Sequence, residues 1–279
     1  MAVKLYAPTS PARRGMSSQD FDMLTTKRPL KSLTKSRTTK VGKNNQGRIT
    51  TRHRGAGVKR HQRLVNFRLA AGSEAVVEQI EYDPNRSARI ARIKTADDQY
   101  HYILAAKGMK VGSKLKSGED ATLRAGNRLP LKNIALGTTV HAVELQPGRG
   151  AQLARSAGTS VQLIAKEEPL AHLRLPSGEV RTVDLSCMAS IGTVGNEQHQ
   201  NVQIGKAGRQ RWLGRRPVVR GKAKNVREHP HGSGEGGASV GMKHPKTPWG
   251  RPAIGYKTRN RKSTNKLIIR SRHQTKRRK

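Results

Sequence analysis

Four side chains that could bind a metal or carry protons lie close together near the carboxyl end of the sequence. His229, His231, Glu235 and His244 fall within 16 residues, and imidazoles and carboxylates serve as metal ligands and proton carriers near neutral pH. Their spacing matches no standard metal motif, and the surrounding Gly and Pro residues leave no helix to fix ligand geometry. The sequence therefore favours a rigid Gly-rich binding loop. The alternative is a metal-dependent nuclease or RNA-modifying enzyme that uses His229, His231 and Glu235.

A second group of residues is suited to binding phosphate. Residues 42–63 read GKNNQGRITTRHRGAGVKRHQR, so that glycines are interspersed with arginines and lysines. Glycine allows the backbone to approach a phosphate closely, while arginine contacts it through paired hydrogen bonds and lysine as a point charge. The alternative is a solvated tail without a partner, but such tails seldom mix Gly, Asn, Thr and Arg so densely. The segment therefore predicts contact with a nucleic-acid backbone.

The charge of the whole chain indicates a polyanionic partner. The sequence has 279 residues with 56 Lys and Arg against 18 Asp and Glu, a formal charge of +38. Residues 1–60 contribute +13, residues 61–200 only +4 and residues 201–279 +21. A near-balanced middle between two basic ends predicts a folded body that carries two basic arms. A chromatin-like DNA-compacting protein would share this charge but would not explain the Asn, Gly and His content of the arms.

The sequence offers little for other functions. No run of apolar residues approaches the roughly 18 that span a membrane, and the start lacks the apolar stretch of a signal peptide, so we expect neither a membrane partner nor export. Cys187 is the only cysteine, which excludes an internal disulfide and a cysteine-based zinc site. Aromatic residues make up 3% of the chain, so we expect phosphate and shape recognition, rather than base stacking, to dominate binding.

Short strands must position the arms. The middle of the chain contains short runs rich in β-branched and aromatic residues, separated by turns and without amphipathic helices between them, which predicts two small antiparallel barrels that divide near residue 130. The predicted strands are 63–69, 75–82, 88–94, 100–105, 139–145, 161–166, 171–175 and 180–185. A short helix is expected to end at Gly214. The predicted division is a basic arm at 1–60, barrels at 61–130 and 131–200, and a Gly- and Pro-rich basic arm at 201–279.

Several motifs resemble one known family. The sequence GRRP at 214–217, HPHGSGEG at 229–236 and TPWG at 247–250, with EYDPNRS at 81–87 and SIGTVGN at 190–196, is similar to the universal ribosomal protein L2 family of the large subunit. The resemblance runs from about Pro8 to Arg272, and the HPH form is that of the bacterial and organellar branch. It implies a mainly β protein in which an OB-type barrel precedes an SH3-like barrel, with long, extended basic arms at both termini buried in ribosomal RNA.

The resemblance also implies a function. Members of the family are structural constituents of the large subunit and primary ribosomal-RNA binders. They organise RNA near the peptidyl transferase region and support subunit association, tRNA binding and peptide-bond formation. The implied partners are large-subunit ribosomal RNA, neighbouring ribosomal proteins and small-subunit RNA at the subunit interface, with no DNA, in a cytoplasmic ribosome or, as the alternative, an organellar one. We expect no enzymatic activity and no cofactor apart from structural Mg²⁺ held through the RNA.

The family's loop histidine, long proposed to take part in peptidyl transfer, maps to His229. We interpret it as an architectural residue near RNA, because a His-Gly loop does not fix the geometry that proton transfer needs. The predicted RNA-binding residues are Arg13, Arg14, Lys43, Asn44, Asn45, Arg48, Arg52, His53, Arg54, Lys59, Arg60, Arg63, Arg86, Lys206, Arg209, Arg211, Arg215, Arg216, Arg220, Lys222, Asn225, His229, His231, Lys243, Trp249, Arg251, Arg259 and Lys262.

Overall fold

The computed structural model describes residues 3–26, 28–232 and 240–276, and its regular structure is mainly β. The described strands are β1 (Val3–Leu5), β2 (Ser17–Gln19), β3 (Thr34–Ser36), β4 (His61–Arg63), β5 (Glu74–Glu81), β6 (Ile90–Thr95), β7 (Tyr100–Leu104), β8 (Lys114–Lys116), β9 (Arg128–Pro130), β10 (Thr139–His141), β11 (Val143–Glu144), β12 (Ala151–Leu153), β13 (Val161–Glu167), β14 (Leu170–Arg174), β15 (Val180–Asp184), β16 (Met188–Ile191) and β17 (Ile268–Arg270). The described α-helices are α1 (Pro11–Arg14), α2 (Ala207–Trp212) and α3 (Arg272–Lys276), and 3-10 turns cover Lys31–Leu33, Leu131–Asn133, Glu197–Asn201, Gly221–Ala223 and Lys262–Leu267. None of them is long and apolar enough to cross a membrane.

The chain forms two units of internally contacting residues. The first, which we call the barrel unit, comprises Met1–Thr38, Lys59–Arg209 and Lys266–Lys279. The second, which we call the arm unit, comprises Thr39–Val58 and Gln210–Asn265. Each unit thus combines segments that are far apart in sequence.

An antiparallel sheet of order β7-β6-β5-β8 forms the first part of the barrel unit. In β5, Ala75 and Val77 are buried while Val76 between them is 43% exposed, as expected for a strand with one face on a core. The register with β6 shifts between Val77 and Gln79. This bulge moves the inward phase by one residue, so that Ile80 is buried as well.

A seven-stranded sheet of order β17-β15-β14-β13-β10-β16-β9 forms the second part of the barrel unit. Its core contains fully buried aliphatic residues, among them Leu131, Leu163 and Leu173, each of which stabilises the fold by about 1.5–3 kcal/mol through burial. The edge strand β17 comes from the carboxyl-terminal part of the chain and pairs with β15. Residues 268–270 therefore belong to the folded body.

A small cluster joins the two sheets within the barrel unit. Buried Ala88 and Leu104 from the first sheet region contact Ala151 and Val194 from the second, and Phe67 packs against them. The amide of Ala151 also donates a hydrogen bond to the carbonyl of Phe67, at 3.0 Å. Apolar packing and a backbone bond therefore both fix the connection between the sheets.

Most of the predicted strands are confirmed, but the first is wrong. Strand β4 ends at Arg63, and the chain from there to residue 69 forms no regular strand. The side chain of Asn66 accepts a hydrogen bond from the amide of Arg68 at 2.8 Å, a turn that competes with strand pairing. The predicted short helix is confirmed as α2, and the amide of Gly214 closes it with a 2.9 Å bond to the carbonyl of Arg211.

Part of the basic amino-terminal arm packs within the barrel unit. The phenol oxygen of Tyr102 accepts a hydrogen bond from the amide of Leu30 at 3.0 Å and donates one to buried Glu81 at 2.7 Å. Burial and the bond to Glu81 raise the pKa of Tyr102 to about 12. Further along, the buried guanidinium of Arg89 donates to the carbonyl of Asp20 at 2.9 Å. Asp20 and Leu30 are thus bonded to residues of the first sheet region.

Candidate nucleic-acid interface

The two basic segments that the sequence singled out pair with each other in the arm unit. Arg54 and Arg215 are direct antiparallel neighbours. The amide of Gly55 donates to the carbonyl of Gly214 at 2.9 Å. Residues about 160 positions apart in the sequence therefore form one surface.

His53 shapes the chain next to this pairing. Its backbone is left-handed, with φ of 60°, a conformation that few residues other than glycine adopt. Its imidazole Nδ1–H donates to the carbonyl of Pro217 at 2.9 Å, and the amide of Arg216 donates to the carbonyl of His53 at 3.1 Å. A residue selected as an RNA contact thus also connects the two segments of the arm unit.

Gly57 has a structural reason to be glycine. Its φ is +68°, and a Cβ added there would lie 2.6 Å from the carbonyl oxygen of Trp212 and 2.9 Å from the amide nitrogen of Gly214. The sequence suggested that glycines here allow a phosphate to approach the backbone. In the arm unit, the backbone that approaches Gly57 is that of the protein's own second segment.

Most of the predicted RNA-binding residues lie in the arm unit. They are Lys43, Asn44, Asn45, Arg48, Arg52, His53, Arg54, Arg211, Arg215, Arg216, Arg220, Lys222, Asn225, His229, His231, Lys243, Trp249, Arg251, Arg259 and Lys262. Asn44, His53, Lys222 and His231 are partly buried, His229 is buried, and the others are exposed. The structure therefore brings residues from both ends of the chain together on one unit.

The arm unit has a large positive charge, most of it on exposed side chains. It contains 19 Lys and Arg against two acidic residues, Glu228 and Glu235, and Glu235 lies outside the described residues. Every ion pair that the described residues form lies in the barrel unit. Directly opposed residues of an antiparallel pair point to the same face, where like charges repel. The side chains of Arg54 and Arg215 therefore leave the paired backbones on the same face.

His229 and His231 form a hydrogen-bonded turn. The amide of His231 donates to Nδ1 of His229 at 3.0 Å, and the amide of Lys246 donates to Nε2 of His231 at 2.7 Å. The ring of His229 fills the space beside Gly221, where a Cβ would lie 2.6 Å from ring atom Cε1. Burial, reinforced by the nearby positive groups, lowers the pKa of His229, so its ring stays neutral at physiological pH.

This geometry does not favour the metal-dependent alternative. In each of the two rings the nitrogen that carries a lone pair already accepts a backbone N–H, so neither can ligate a metal without breaking that bond. His244 contacts the ring of Tyr256 edge-on, with 5.7 Å between centroids. Within the described ranges, no group of three or more His, Cys, Asp or Glu side chains could hold a metal ion.

The remaining eight predicted residues lie in the barrel unit: Arg13, Arg14, Lys59, Arg60, Arg63, Arg86, Lys206 and Arg209. Several of them also make structural contacts, and three examples show this. Arg86 forms an ion pair with buried Asp83 at 2.6 Å, Arg60 donates to the carbonyl of Pro84 at 2.8 Å, and Arg209 donates to the carbonyl of Ser17 at 2.9 Å. These three side chains therefore stabilise turns of the body, and only part of each is open to a partner.

A basic patch on the barrel unit was missed by the sequence analysis. The guanidinium groups of Arg86 and Arg155 lie over the ring of Phe67, with 5.7 and 4.8 Å from Cζ to the ring centroid. Next to Phe67, Arg68 donates to the carbonyl of Arg149 at 3.2 Å. Arg68, Arg149 and Arg155 are exposed. They lie in the near-neutral middle of the chain, where the charge count gave no signal, although the PGRG sequence at 147–150 repeats the chemistry of the arms.

A β body with clustered, exposed arginines defines a structural protein that binds nucleic acid. Residues 30–117 match the family model described as Ribosomal Proteins L2, RNA binding N-terminal domain, and residues 124–250 match Ribosomal Proteins L2, C-terminal domain. The chain belongs to the ribosomal protein L2 family. It is a structural component of the large ribosomal subunit that binds ribosomal RNA, and its sheets form the OB-type and SH3-like barrels of that family.

Substituting Gly57→Ala should weaken RNA binding at least tenfold more than substituting Gly47→Ala. Both glycines have positive φ, so alanine costs about 1–2 kcal/mol of backbone strain at either position. Only Gly57 also has opposing backbone within 3 Å of the added Cβ, whereas Gly47 has open space around it. Filter binding of the two full-length variants to deproteinised large-subunit ribosomal RNA measures the difference. Equal losses for the two variants would mean that the close approach of the segments is not needed for binding.

Proposed function

We propose that the arm unit is the principal ribosomal-RNA contact of this protein, and that the basic residues selected from the sequence bind RNA phosphates there. The observation that carries this proposal is the direct opposition of Arg54 and Arg215 in a unit whose described residues form no ion pair. Paired guanidinium groups without a carboxylate repel each other and match a phosphate geometrically. A phosphate between them would turn the repulsion into two charge-assisted hydrogen bonds.

The barrel unit would supply a second contact. We propose that barrels at 61–130 and 131–200 carry the arms at 1–60 and 201–279, and that the patch of Arg68, Arg149 and Arg155 around Phe67 binds RNA together with the predicted barrel-unit residues. The exposure of these three arginines supports this. Contacts on both units would fix the orientation of the body on the RNA, which is the role of phosphate contacts in general.

The proposed role is architectural and non-enzymatic. The engaged ring nitrogens of His229 and His231 support a structural role for both residues. As family membership suggests, the protein would organise large-subunit RNA near the peptidyl transferase region and support subunit association, tRNA binding and peptide-bond formation. Its further partners would be neighbouring ribosomal proteins and small-subunit RNA, in a cytoplasmic or, alternatively, an organellar ribosome. It would need no cofactor of its own, because Mg²⁺ would be held through the RNA.

The double variant Arg54→Gln/Arg215→Gln tests the proposal. Loss of two charge-assisted hydrogen bonds should weaken binding to deproteinised large-subunit ribosomal RNA by about 100-fold or more. The slope of log K against log salt should also become shallower by roughly 1.4–1.8, because two fewer counterions are released. Filter binding of the full-length protein across a salt series measures both quantities.

A matched control removes the same charge from another surface. Lys110→Gln/Arg124→Gln also neutralises two exposed basic residues, both of which lie on the barrel unit and outside the proposed contacts. We expect its affinity and salt slope to stay close to those of the unmodified protein. If the two double variants behaved alike, overall charge would explain the binding, and direct phosphate contact at Arg54 and Arg215 would be wrong.

A further inference from the structure

Trp249 is held at the tip of a tight turn and is 74% exposed. The amide of Thr247 donates a hydrogen bond to the carbonyl of Arg251 at 2.7 Å, and the amide of Gly250 donates one to the carbonyl of Thr247 at 2.9 Å. Two residues further out on each side, the amide of Ala253 donates to the carbonyl of Pro245 at 2.8 Å. Three backbone bonds thus close the turn that carries the exposed indole.

The turn is also attached to the rest of the arm unit. The bond from the Lys246 amide to the imidazole of His231 connects it to the histidine turn. On its amino-terminal side, His244 packs edge-on against the ring of Tyr256. These contacts attach the turn that carries Trp249 to the histidine turn and to Tyr256.

Arg52 lies over the indole ring. The guanidinium Cζ is 5.1 Å from the ring centroid, which is within the range of a cation–π contact. Arg52 comes from the first segment of the arm unit and Trp249 from the second. Since the indole remains 74% exposed beside this contact, most of its surface is available to a planar ligand.

The surroundings indicate which ligand this is. An exposed indole suits either an apolar pocket on another protein or the face of an unpaired nucleobase. The arm unit that surrounds Trp249 has 19 basic residues against two acidic ones, which favours a polyanion strongly over an apolar protein surface. Arginine and an aromatic ring side by side match a base and its adjacent phosphate.

We propose that Trp249 is a stacking platform for an unpaired base of ribosomal RNA, and that Arg52 stacks beside it and contacts the neighbouring phosphate. The proposal rests on the RNA-binding role given above to the arm unit, and it assigns to that unit a single-stranded element of the RNA. Base stacking therefore contributes to binding despite the low aromatic content of the chain.

Indole fluorescence tests the contact directly. The chain has two tryptophans, so the variant Trp212→Phe, which keeps an aromatic ring at that position, leaves Trp249 as the only source of indole emission. Titration of this full-length variant with deproteinised large-subunit ribosomal RNA should quench the emission, because stacking on a base deactivates the excited indole. Unchanged emission at saturating RNA would contradict the proposal.

Two substitutions separate stacking from charge. Trp249→Leu should weaken RNA binding by about 5- to 150-fold, the usual contribution of one stacked base, and should leave the salt slope unchanged. Arg52→Gln should weaken binding and also flatten the slope by roughly 0.7, the value for one phosphate on a single strand. Trp249→Phe should recover most of the affinity. Ile254→Ala, which truncates another apolar residue of the same unit with 70% exposure, should have no effect.

The outcomes distinguish this proposal from the function on which it rests. If the unmodified protein failed to bind ribosomal RNA, the proposed function itself would be wrong. If it bound normally, and Trp249→Leu bound equally well without quenching in the fluorescence titration, the RNA-binding role would stand and the stacking site would be refuted. A defect of Trp249→Leu seen only when other ribosomal proteins are present would also refute it, and would assign the indole to a protein pocket.

Discussion

Replacing Glu144 with glutamine should lower the free energy of unfolding by about 3–5 kcal/mol. The residue is 2% exposed and lies on β11, which pairs with β12 in a separate two-stranded sheet, and its carboxylate is fully engaged. Its Oε1 accepts from the guanidinium of Arg128 at 2.7 Å and from the amide of Gly150 at 3.0 Å. Its Oε2 accepts from the amides of Gly148 and Met188, both at 3.2 Å.

Glutamine has the right size but the wrong chemistry for this position. One of its two terminal atoms is an NH₂ group, which would face N–H donors whichever way the amide is turned. The substitution also removes the negative charge that compensates Arg128, whose pKa burial already lowers. Urea unfolding followed by far-UV circular dichroism measures the loss. Tryptophan emission is unsuitable, because both tryptophans lie in the arm unit.

An exposed ion pair provides the control. Lys132 and Glu119 are also 2.7 Å apart, but their side chains are 49% and 63% exposed. Glu119→Gln should therefore cost at most about 1 kcal/mol. The explanation by burial would be wrong if both glutamine variants lost stability by the same small amount.

The sequence predicted the barrels well because local patterns define them. The run of apolar and β-branched residues around Val76 and Val77 predicted strand β5. The wrong strand at 63–69 failed for a local reason too, the turn that Asn66 forms. A family resemblance then supplied the type of each barrel, and the family matches support it.

The pairing of the arms could not be predicted in the same way. Arg54 and Arg215 are paired although about 160 residues separate them in the sequence. Neither of their segments has a periodic pattern of hydrophobic residues that would indicate what it pairs with. Composition identified both segments as phosphate binders without indicating that they form one surface. The same limit applies to Trp249. It was among the predicted RNA-binding residues, but its position beneath the guanidinium of Arg52 follows only from the fold of the arm unit.

The two units differ in what stabilises them. All of the buried apolar side chains among the described residues lie in the barrel unit, and the only buried side chain of the arm unit in the same ranges is His229. Ordering a residue costs roughly 1–2 kcal/mol in backbone entropy, which the barrel unit offsets by apolar burial. The arm unit has backbone hydrogen bonds for this purpose, but also a net charge of +17 that opposes compaction. A polyanion removes that opposition.

In the free protein, amide hydrogen exchange should therefore be fast in the arm unit and slow in the barrel unit. Binding of RNA should remove this difference in exchange rate. Without RNA, the amides of Gly55 and Arg216, which pair the two segments, should exchange within about tenfold of unprotected rates. With saturating large-subunit ribosomal RNA, both should slow by about 1,000-fold or more, because RNA that binds only the paired form stabilises it. Mass-spectrometric exchange on the full-length protein measures this, with Ala105 and Ile191 of the barrel unit as references that stay protected throughout. If the arm amides of the free protein were as protected as those two, the segments would be paired before RNA binds, and the charge of the arm unit would not control its folding.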